Sequence, residues 1–240
     1  MSNLIIDPFK FTAAAFDPLT AFTWDVVYWA DDPGWANPGD GNPVTTWDDG
    51  SGNGRDGTAA AGPGGNSPVY RSSEAGLNNR AIVDFDTTKL TSTSFTRAQP
   101  CSVVTIFADH TNADGRLCSS TVNLQVFRDN AAPPSGFGHY AGGFGTYTPN
   151  VSSTAGALFS IYLNGASSYP VLDGTAAATA DPGSTGFANL AVGYRDTGSG
   201  DLHGIFKIAF IGVTSGDFHV HANYAAFKSW VASYYGLSIA

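Results

Sequence analysis

The sequence predicts an all-β protein, a two-sheet antiparallel jelly-roll sandwich closed by one C-terminal helix. From residue 81 onward, β-forming segments recur every ten to twenty residues, with turn residues between them. No helical pattern of ten or more residues interrupts this series, which excludes a parallel sheet with crossover helices. The chain has 240 residues, 42% of them hydrophobic, which is enough for one large sandwich with a full core.

The chain divides into an N-terminal arm, residues 1–20, and a sandwich domain, residues 21–240. The arm alternates apolar and polar residues only loosely and contains two prolines. We expect it to be extended, and either to add an edge strand or to reach a neighbouring subunit.

The domain begins with a strand at 22–29, which is dense in aromatic and β-branched residues. Residues 31–68 form a long excursion rich in Gly, Pro and Asp, which we expect Trp35 and Trp47 to pin. Loops of this length in compact domains are often functional. Further strands are predicted at 81–85, 102–108, 122–127, 158–163, 189–193 and 205–211. Asn164-Gly165 and Asp173-Gly174 are typical hairpin dipeptides, because both turn residues tolerate positive φ.

One helix is predicted, near the C-terminus. Its apolar stripe has spacings of three, four and three and consists of Tyr224, Phe227, Val231 and Tyr234. Asp217 or Ser215 stands where a cap is needed, and Gly236 follows the stripe as a C-terminal cap. We expect this helix to pack across one sheet or one end of the sandwich.

Composition excludes several classes of partner. The formal charge is −9 with eleven basic residues, no two of them adjacent, which disfavours nucleic acid and anionic membrane surfaces. No stretch approaches the roughly 18 apolar residues of a membrane span, and the N-terminus lacks the features of a signal peptide. Only 13% of residues are charged, which is typical of a protein outside the cytosol or within a large assembly. Cys101 and Cys118 are equally compatible with one disulfide and with two buried thiols.

Residues 47–56, WDDGSGNGRD, resemble the W-x-D-x-SGNG-R-[DN] segment of concanavalin A-like (laminin G-like) jelly-roll domains. Further matching pieces follow in the family's order at 68–70, 80–86, 101–108, 159–165, 190–193, 204–213 and 227–237, so the resemblance covers residues 22–237. It implies the concanavalin A-like sandwich. The chain departs from the family at Lys207, where many members carry Glu, and this weakens a calcium or catalytic interpretation of that position.

The chain looks most like the versions of this domain in virion proteins of tailed bacteriophages, namely minor tail or head-decoration proteins. This implies a structural protein in the virion, assembled in the host cytoplasm as a homo-oligomer or as part of a large assembly. The arm would contact other virion proteins, and the sandwich would contact host-surface glycans. The alternatives are a free carbohydrate-binding module or lectin and, ranked last, a polysaccharide-degrading enzyme that uses aspartates.

Catalytic residues are not predicted. Glucanases of this fold use two glutamates on one strand, whereas this chain has a single glutamate, Glu74. Asp84 and Asp86, at positions i and i+2 of a strand, point to the same face and are better explained as structural residues that fix the following loop. The sequence has no nucleophile elbow, phosphate-binding loop or dinucleotide fingerprint.

No cofactor is predicted. His219 and His221 lack the further ligands of a zinc site and are better explained by a helix start. The loop 109–115 lacks the regular oxygen ligands of a calcium loop, and a polar hairpin turn explains it. Calcium elsewhere in the sandwich remains an alternative, because the resemblance implies a fold that often carries it.

Two regions combine aromatic and planar polar side chains, as carbohydrate sites do. The first is a Gly-rich loop with His139, Phe144 and two tyrosines, and the second is the run 194–203. Trp29 and Trp35, from the long early loop, are possible additional members of these regions. In the alternative interpretation, all these aromatic side chains only fill space at the ends of the sandwich. The candidate glycan-binding residues are Tyr140, Tyr147, Tyr194, Arg195, Asp196 and His203.

Overall fold

A computed structural model of the protein describes residues 16–60, 67–86, 88–110, 115–129, 136–145, 156–193 and 205–240. It confirms the predicted antiparallel two-sheet sandwich with a C-terminal helix. No helix in these ranges is long and apolar enough to cross a membrane. In chain order the strands are β1 Trp24–Trp29, β2 Thr46–Trp47, β3 Gly57–Ala60, β4 Val69–Glu74, β5 Arg80–Asp86, β6 Lys89–Ser92, β7 Cys101–His110, β8 Gly115–Ser120, β9 Leu124–Asp129, β10 Gly136–Tyr140, β11 Ala157–Leu163, β12 Tyr169–Leu172, β13 Thr175–Ala176, β14 Ala191–Val192 and β15 Ile205–Ser215.

All strand pairs in the described ranges are antiparallel. The first sheet has the order β13-β12-β11-β7-β15-β5-β4, and β1 also pairs with β15. The second sheet has the order β10-β9-β8-β14-β6-β3-β2. Strand β10 of the second sheet contacts β12 of the first sheet. The edge formed by β10 and the edge formed by β4 are therefore at the two opposite ends of the sandwich.

The core between the sheets follows from the two-residue alternation of β-strands. In β5, Val83 and Phe85 face the core, whereas Ile82 lies in the cluster on the outer face. The long early loop reaches this core, as predicted. Trp47 stacks on Tyr28 at a centroid distance of 5.5 Å, and Trp35 packs against Trp47 at 5.7 Å.

The helix α1, Tyr224–Tyr235, covers the outer face of the first sheet. Gly236 ends it with φ 71° as predicted, because glycine adopts this left-handed conformation at no steric cost. The predicted N-terminal cap is wrong. Asp217 caps a separate 3₁₀ turn, Phe218–Val220, and α1 begins after Asn223. The helix buries Phe227, Trp230, Val231 and Tyr235.

Residues 16–20, the described end of the predicted arm, pack beside this helix. The Phe16 ring lies 6.1 Å from that of Trp230, and the Pro18 carbonyl accepts a 2.8 Å hydrogen bond from the Trp24 indole. Residues 1–15 lie outside the described ranges, and the extended arm stays a prediction.

Both cysteines are buried, reduced thiols on strands of different sheets, so the disulfide alternative is excluded. Burial raises the pKa of the Cys101 thiol to about 12 and also raises that of Cys118. Both side chains act as small core hydrophobes.

The segment 47–56 has a structural role. The Asp49 carboxylate accepts hydrogen bonds from the Val27 amide at 3.0 Å, the Arg55 amide at 3.0 Å and the Ser51 hydroxyl at 2.7 Å. The Asn53 amide donates to the carbonyls of Trp24 and Asp25. This loop is therefore fastened to β1 by side-chain and backbone hydrogen bonds together.

A buried ion cluster lies beside this loop. Asp25, on β1, is 8% exposed and receives both an Nε and an Nη hydrogen bond from Arg97. The Arg55 guanidinium lies 3.5 Å from the same carboxylate and over the Phe95 ring. A carboxylate this buried needs such partners, because desolvation disfavours a charge that is left alone.

Asp25→Asn should lower the free energy of unfolding by about 2–3 kcal/mol, because it leaves two partly buried guanidinium groups without a carboxylate. Urea unfolding at neutral pH measures the effect. Asp181→Asn, at an exposed turn, is the control and should change stability by less than about 0.5 kcal/mol. Equal stability of the two variants would contradict a role for the ion cluster.

Candidate functional site

The outer face of the second sheet carries a cavity of about 270 Å³ at its β10 edge. Gln125 stands between the core residues Leu124 and Val126 in β9, so its side chain points outward. Tyr140 pairs with Gln125 across the sheet and therefore shares its face. The cavity is lined by Arg116, Asn123, Gln125, Tyr140 and Phe144.

A chain of hydrogen-bonded polar groups forms one side of this cavity. Arg116 Nε donates to Gln125 Oε1 at 2.7 Å, and Gln125 Nε2 donates to Asn123 Oδ1 at 3.0 Å. The Arg116 guanidinium also lies 4.6 Å from the centroid of the Phe127 ring. These contacts fix planar donors and acceptors in place before a ligand arrives, which lowers the entropic cost of binding.

Aromatic rings form the other side. The rings of Tyr140 and Phe144 meet edge-on at 5.1 Å, and Phe144 meets Phe127 at 6.1 Å. Phe144 is 66% exposed, unusually high for a large apolar side chain. Such a ring beside a polar cavity is an apolar surface available to a ligand.

The turn that carries Phe144 is held from two directions. The amides of Ala141 and Gly143 donate to the Pro182 carbonyl, at 3.0 Å and 2.5 Å. Gly142 has φ 109°, a conformation that side-chain-bearing residues rarely adopt. The Gly145 amide donates to the His139 carbonyl at 2.9 Å and closes the turn. The turn therefore presents Phe144 on a fixed backbone.

His139 supports this turn from below. Its ring is buried, both ring nitrogens lack hydrogen-bond partners, and burial lowers its pKa to about 4. A Cβ atom on residue 145 would overlap the imidazole, so only glycine fits there. The ring is a neutral packing element under the site.

The structure places one predicted glycan-binding residue, Tyr140, at the cavity. Tyr147, Tyr194, Arg195, Asp196 and His203 lie outside the described residues, and their roles stay predictions. Trp35 is buried in the core between the sheets. Trp29 lies on the helix side, where its indole donates to the Tyr235 hydroxyl at 2.9 Å. Neither tryptophan joins this cavity.

Arg116, Asn123 and Gln125 were not predicted from the sequence. They belong to β8, to β9 and to the turn between these strands, and only the pairing of β8 with β9 brings them together. The alternation Leu124-Gln125-Val126 is the signal that could have identified Gln125 as an outward polar residue.

The acidic candidates lie on the first sheet. The single glutamate, Glu74, forms an ion pair with Lys207 at 3.0 Å, so Lys207 is a partner for this carboxylate. Asp84 and Asp86 both point outward on β5, and Arg71 lies 4.0 Å from Asp84.

His219 does not pair with His221. Its Nε2 lies 2.8 Å from the Ser160 hydroxyl and its Nδ1 lies 3.0 Å from Asp217, whereas the His221 ring packs at a tilt against Phe22. The order Ser–His–Asp is that of hydrolytic triads, but Ser160 is 1% exposed. Asp217 is also occupied, capping the 3₁₀ turn and accepting from the Tyr169 hydroxyl. This cluster holds the 3₁₀ turn onto β11.

No family model matches this chain, and no curated protein matches it in sequence. Solved structures do share its fold. Domain 4 of AbnA, an extracellular GH43 arabinanase from Geobacillus stearothermophilus, in complex with arabinotriose, is 10% identical, with a TM-score of 0.58 over 81% of this chain and 93% of that domain. Trypanosoma rangeli sialidase is 9% identical, with a TM-score of 0.51, over 88% of this chain and 32% of its own length. This chain thus spans about a third of the sialidase.

Likeness at this level of identity shows the fold alone. The β-sandwich that the resemblance implied is confirmed, and the tailed-phage assignment stays a prediction.

His139 should make the protein sensitive to acid. Because its pKa is lower in the folded than in the unfolded state, stability is complete above about pH 6.5 and falls toward pH 4, by about 3 kcal/mol in all. His139→Leu should remove most of this fall in urea unfolding across that range. Some fall should remain, because burial also lowers the pKa of His219.

His221→Gln is the matched control for that measurement. His221 is exposed, so the variant should keep the wild-type pH dependence. A His139→Leu profile that runs parallel to wild type between pH 6.5 and pH 4 would show that the buried imidazole is not the source.

Proposed function

We propose that this protein is a non-catalytic carbohydrate-binding domain and that the cavity at the β10 edge of the second sheet is its glycan site. The observation that carries the proposal is that the exposed Phe144 and the half-buried Tyr140 face a hydrogen-bonded row of Arg116, Gln125 and Asn123.

This combination suits a sugar because a pyranose or furanose ring has both an apolar face and a rim of hydroxyl groups. The apolar face stacks on an aromatic ring, and the hydroxyls bond to planar amide and guanidinium groups. A cavity of about 270 Å³ is small among ligand sites, which fits one sugar residue of a longer glycan. Domain 4 of the arabinanase, whose fold is similar, contains arabinotriose, and this supports the same class of ligand.

The proposal is non-catalytic because of what lines the cavity. Its described lining residues include no aspartate or glutamate, and glycoside hydrolysis uses two carboxylates on either side of the scissile bond. Glu74 is on the other sheet and is ion-paired with Lys207. A binding module is therefore favoured over a hydrolase.

The finer proposal places this module on the virion of a tailed bacteriophage, as a head-decoration or minor tail protein that touches host-surface glycans. What supports it is the order of laminin G-like segments along the chain and the low proportion of charged residues, 13%. A free lectin is the alternative.

Tyr140→Ala and Phe144→Ala should each weaken glycan binding about tenfold or more, because each removes an aromatic contact surface. A glycan array identifies the best ligand, and calorimetric titration of that ligand compares the variants. Tyr162→Ala, which truncates a half-buried tyrosine on the first sheet, is the control and should bind like wild type. Binding that survives both cavity variants would refute this site.

A virion role predicts that the chain is present at fixed stoichiometry in purified particles of a phage that encodes it. Quantitative mass spectrometry of gradient-purified particles measures this, with the major capsid protein as the internal reference. Recovery of the chain only in the soluble lysate would favour the free lectin.

A further inference from the structure

A second cavity, of about 330 Å³, lies next to the candidate glycan site. It is bounded by Val122, in the turn between β8 and β9, by the segment 96–98, which follows β6, and by the segment 184–188, which precedes β14. An antiparallel bridge between Arg97 and Phe187 joins the last two segments. The cavity therefore lies where three connections of the second sheet meet.

The two cavities share the turn between β8 and β9, residues 121–123. Asn123 lines the candidate site, and its neighbour Val122 lines the second cavity. Consecutive Cα atoms are about 3.8 Å apart. A ligand that extends a few ångströms past Asn123 at this turn therefore meets Val122.

The segments opposite this turn are fastened to each other. Phe144, in the candidate site, belongs to the turn 141–145, and Thr185 lines the second cavity. The Thr185 amide donates to the Ala141 carbonyl at 3.1 Å. A Cβ atom on Gly142 would lie 3.6 Å from the Thr185 hydroxyl oxygen, so the two segments are in contact. The wall that carries Phe144 thus continues into the wall that carries Thr185.

Apolar surface is exposed along both cavities. Among the large hydrophobic side chains of the described residues, Val122 is 44% exposed and Phe144 is 66% exposed. A single exposed apolar side chain needs no explanation, whereas exposed apolar groups on adjoining cavities are typical of a ligand-binding groove. The side chains of Thr96 and Ser184 are also exposed, and their hydroxyls can both donate and accept hydrogen bonds.

The charges of the second cavity favour a neutral ligand. Arg97 is the charged member of its lining, and the Arg97 guanidinium donates two hydrogen bonds to the Asp25 carboxylate. The cavity therefore presents no unpaired charge to a metal ion or to an anion. Its apolar surface and its hydroxyls suit a sugar residue, which has an apolar face and a rim of hydroxyl groups.

We propose that the two cavities form one groove and that its ligand is an oligosaccharide of at least two neutral sugar residues. One residue packs on Tyr140 and Phe144, and the next lies over Val122 between Thr96 and Thr185. The inference rests on the proposed function and deepens it, because it specifies a chain of sugars where the candidate site alone would hold a single one.

The test is backbone NMR on the full-length, isotope-labelled chain. The probes are glucose, galactose, mannose and arabinose, each as the single sugar and as its linear disaccharide and trisaccharide. We expect at least one series in which the single sugar shifts the amides of 140–144 and the trisaccharide also shifts those of 184–188. In that series the Kd should fall about tenfold or more from the single sugar to the trisaccharide, because the second cavity adds contacts.

Val122→Asp should remove most of this gain and leave the Kd of the single sugar unchanged. Aspartate is favourable in turns and Val122 is exposed, so the fold should tolerate the change. Val220→Asp is the matched control, because Val220 is 77% exposed in the 3₁₀ turn 218–220 and lines neither cavity. This variant should bind sugars of every length like wild type.

The groove and the candidate site can fail separately. Equal Kd values for the single sugar and the trisaccharide, or a Val122→Asp variant that keeps the wild-type dependence on length, would refute the groove and leave the candidate site standing. Sugar binding that shifts no amide of 140–144 would refute the candidate site, and the groove with it. No binding by any of the four series would refute both.

Discussion

Asp25 is a buried carboxylate on β1 of the first sheet, and its partners come from connecting segments that adjoin strands of the second sheet. Arg55 precedes β3, and Arg97 follows β6, so pairing the charge fixes the two sheets against each other at this end. A buried charge that loses its partners is strongly unfavourable, which makes this geometry obligatory. Asp49 adds a second fastening through the Val27 amide. The segment 47–56, which resembles the laminin G-like family, thus holds β1 in place. Its resemblance to that family is explained by this structural role and indicates the fold, not a ligand.

The helix determines where ligands have access to the first sheet. Its buried side chains cover the centre of the outer face, where Ile82, Ile106 and Phe210 form one cluster with Phe227 and Trp230. Away from that cluster, β5 carries the outward polar groups Asp84 and Asp86, which are in contact with solvent. On the second sheet the β10 edge carries the cavity of the candidate site. This cavity lies where paired strands meet turns, so the turn residues Asn123 and Phe144 complete walls that a flat sheet cannot supply.

The sequence predicted the fold well wherever local signals were strong. Apolar β-branched and aromatic runs marked β5, β7, β11 and β15, and the spacing of Phe227 and Val231 marked α1. Short strands such as β6, of sequence KLTS, carry no such signal, because their stability comes from pairing with β3 and β14. The residues of the candidate site differ in the same way in how far the sequence predicts them. Tyr140 and Phe144 are conspicuous within one loop, whereas Arg116 and Gln125 meet only through strand register.

A buried polar group without a hydrogen-bond partner does not by itself mark a site in this fold. The hydroxyls of Thr88 and Thr105 are both buried without a hydrogen-bond partner, and neither oxygen is accessible to a ligand. His139 shows a different use, since its neutral ring fills the space under Gly145 and thereby sets the position of Phe144. Leaving both imidazole nitrogens of His139 unpaired costs folding free energy. The fold tolerates this cost because the buried ring supports the turn that holds Phe144 in a fixed position.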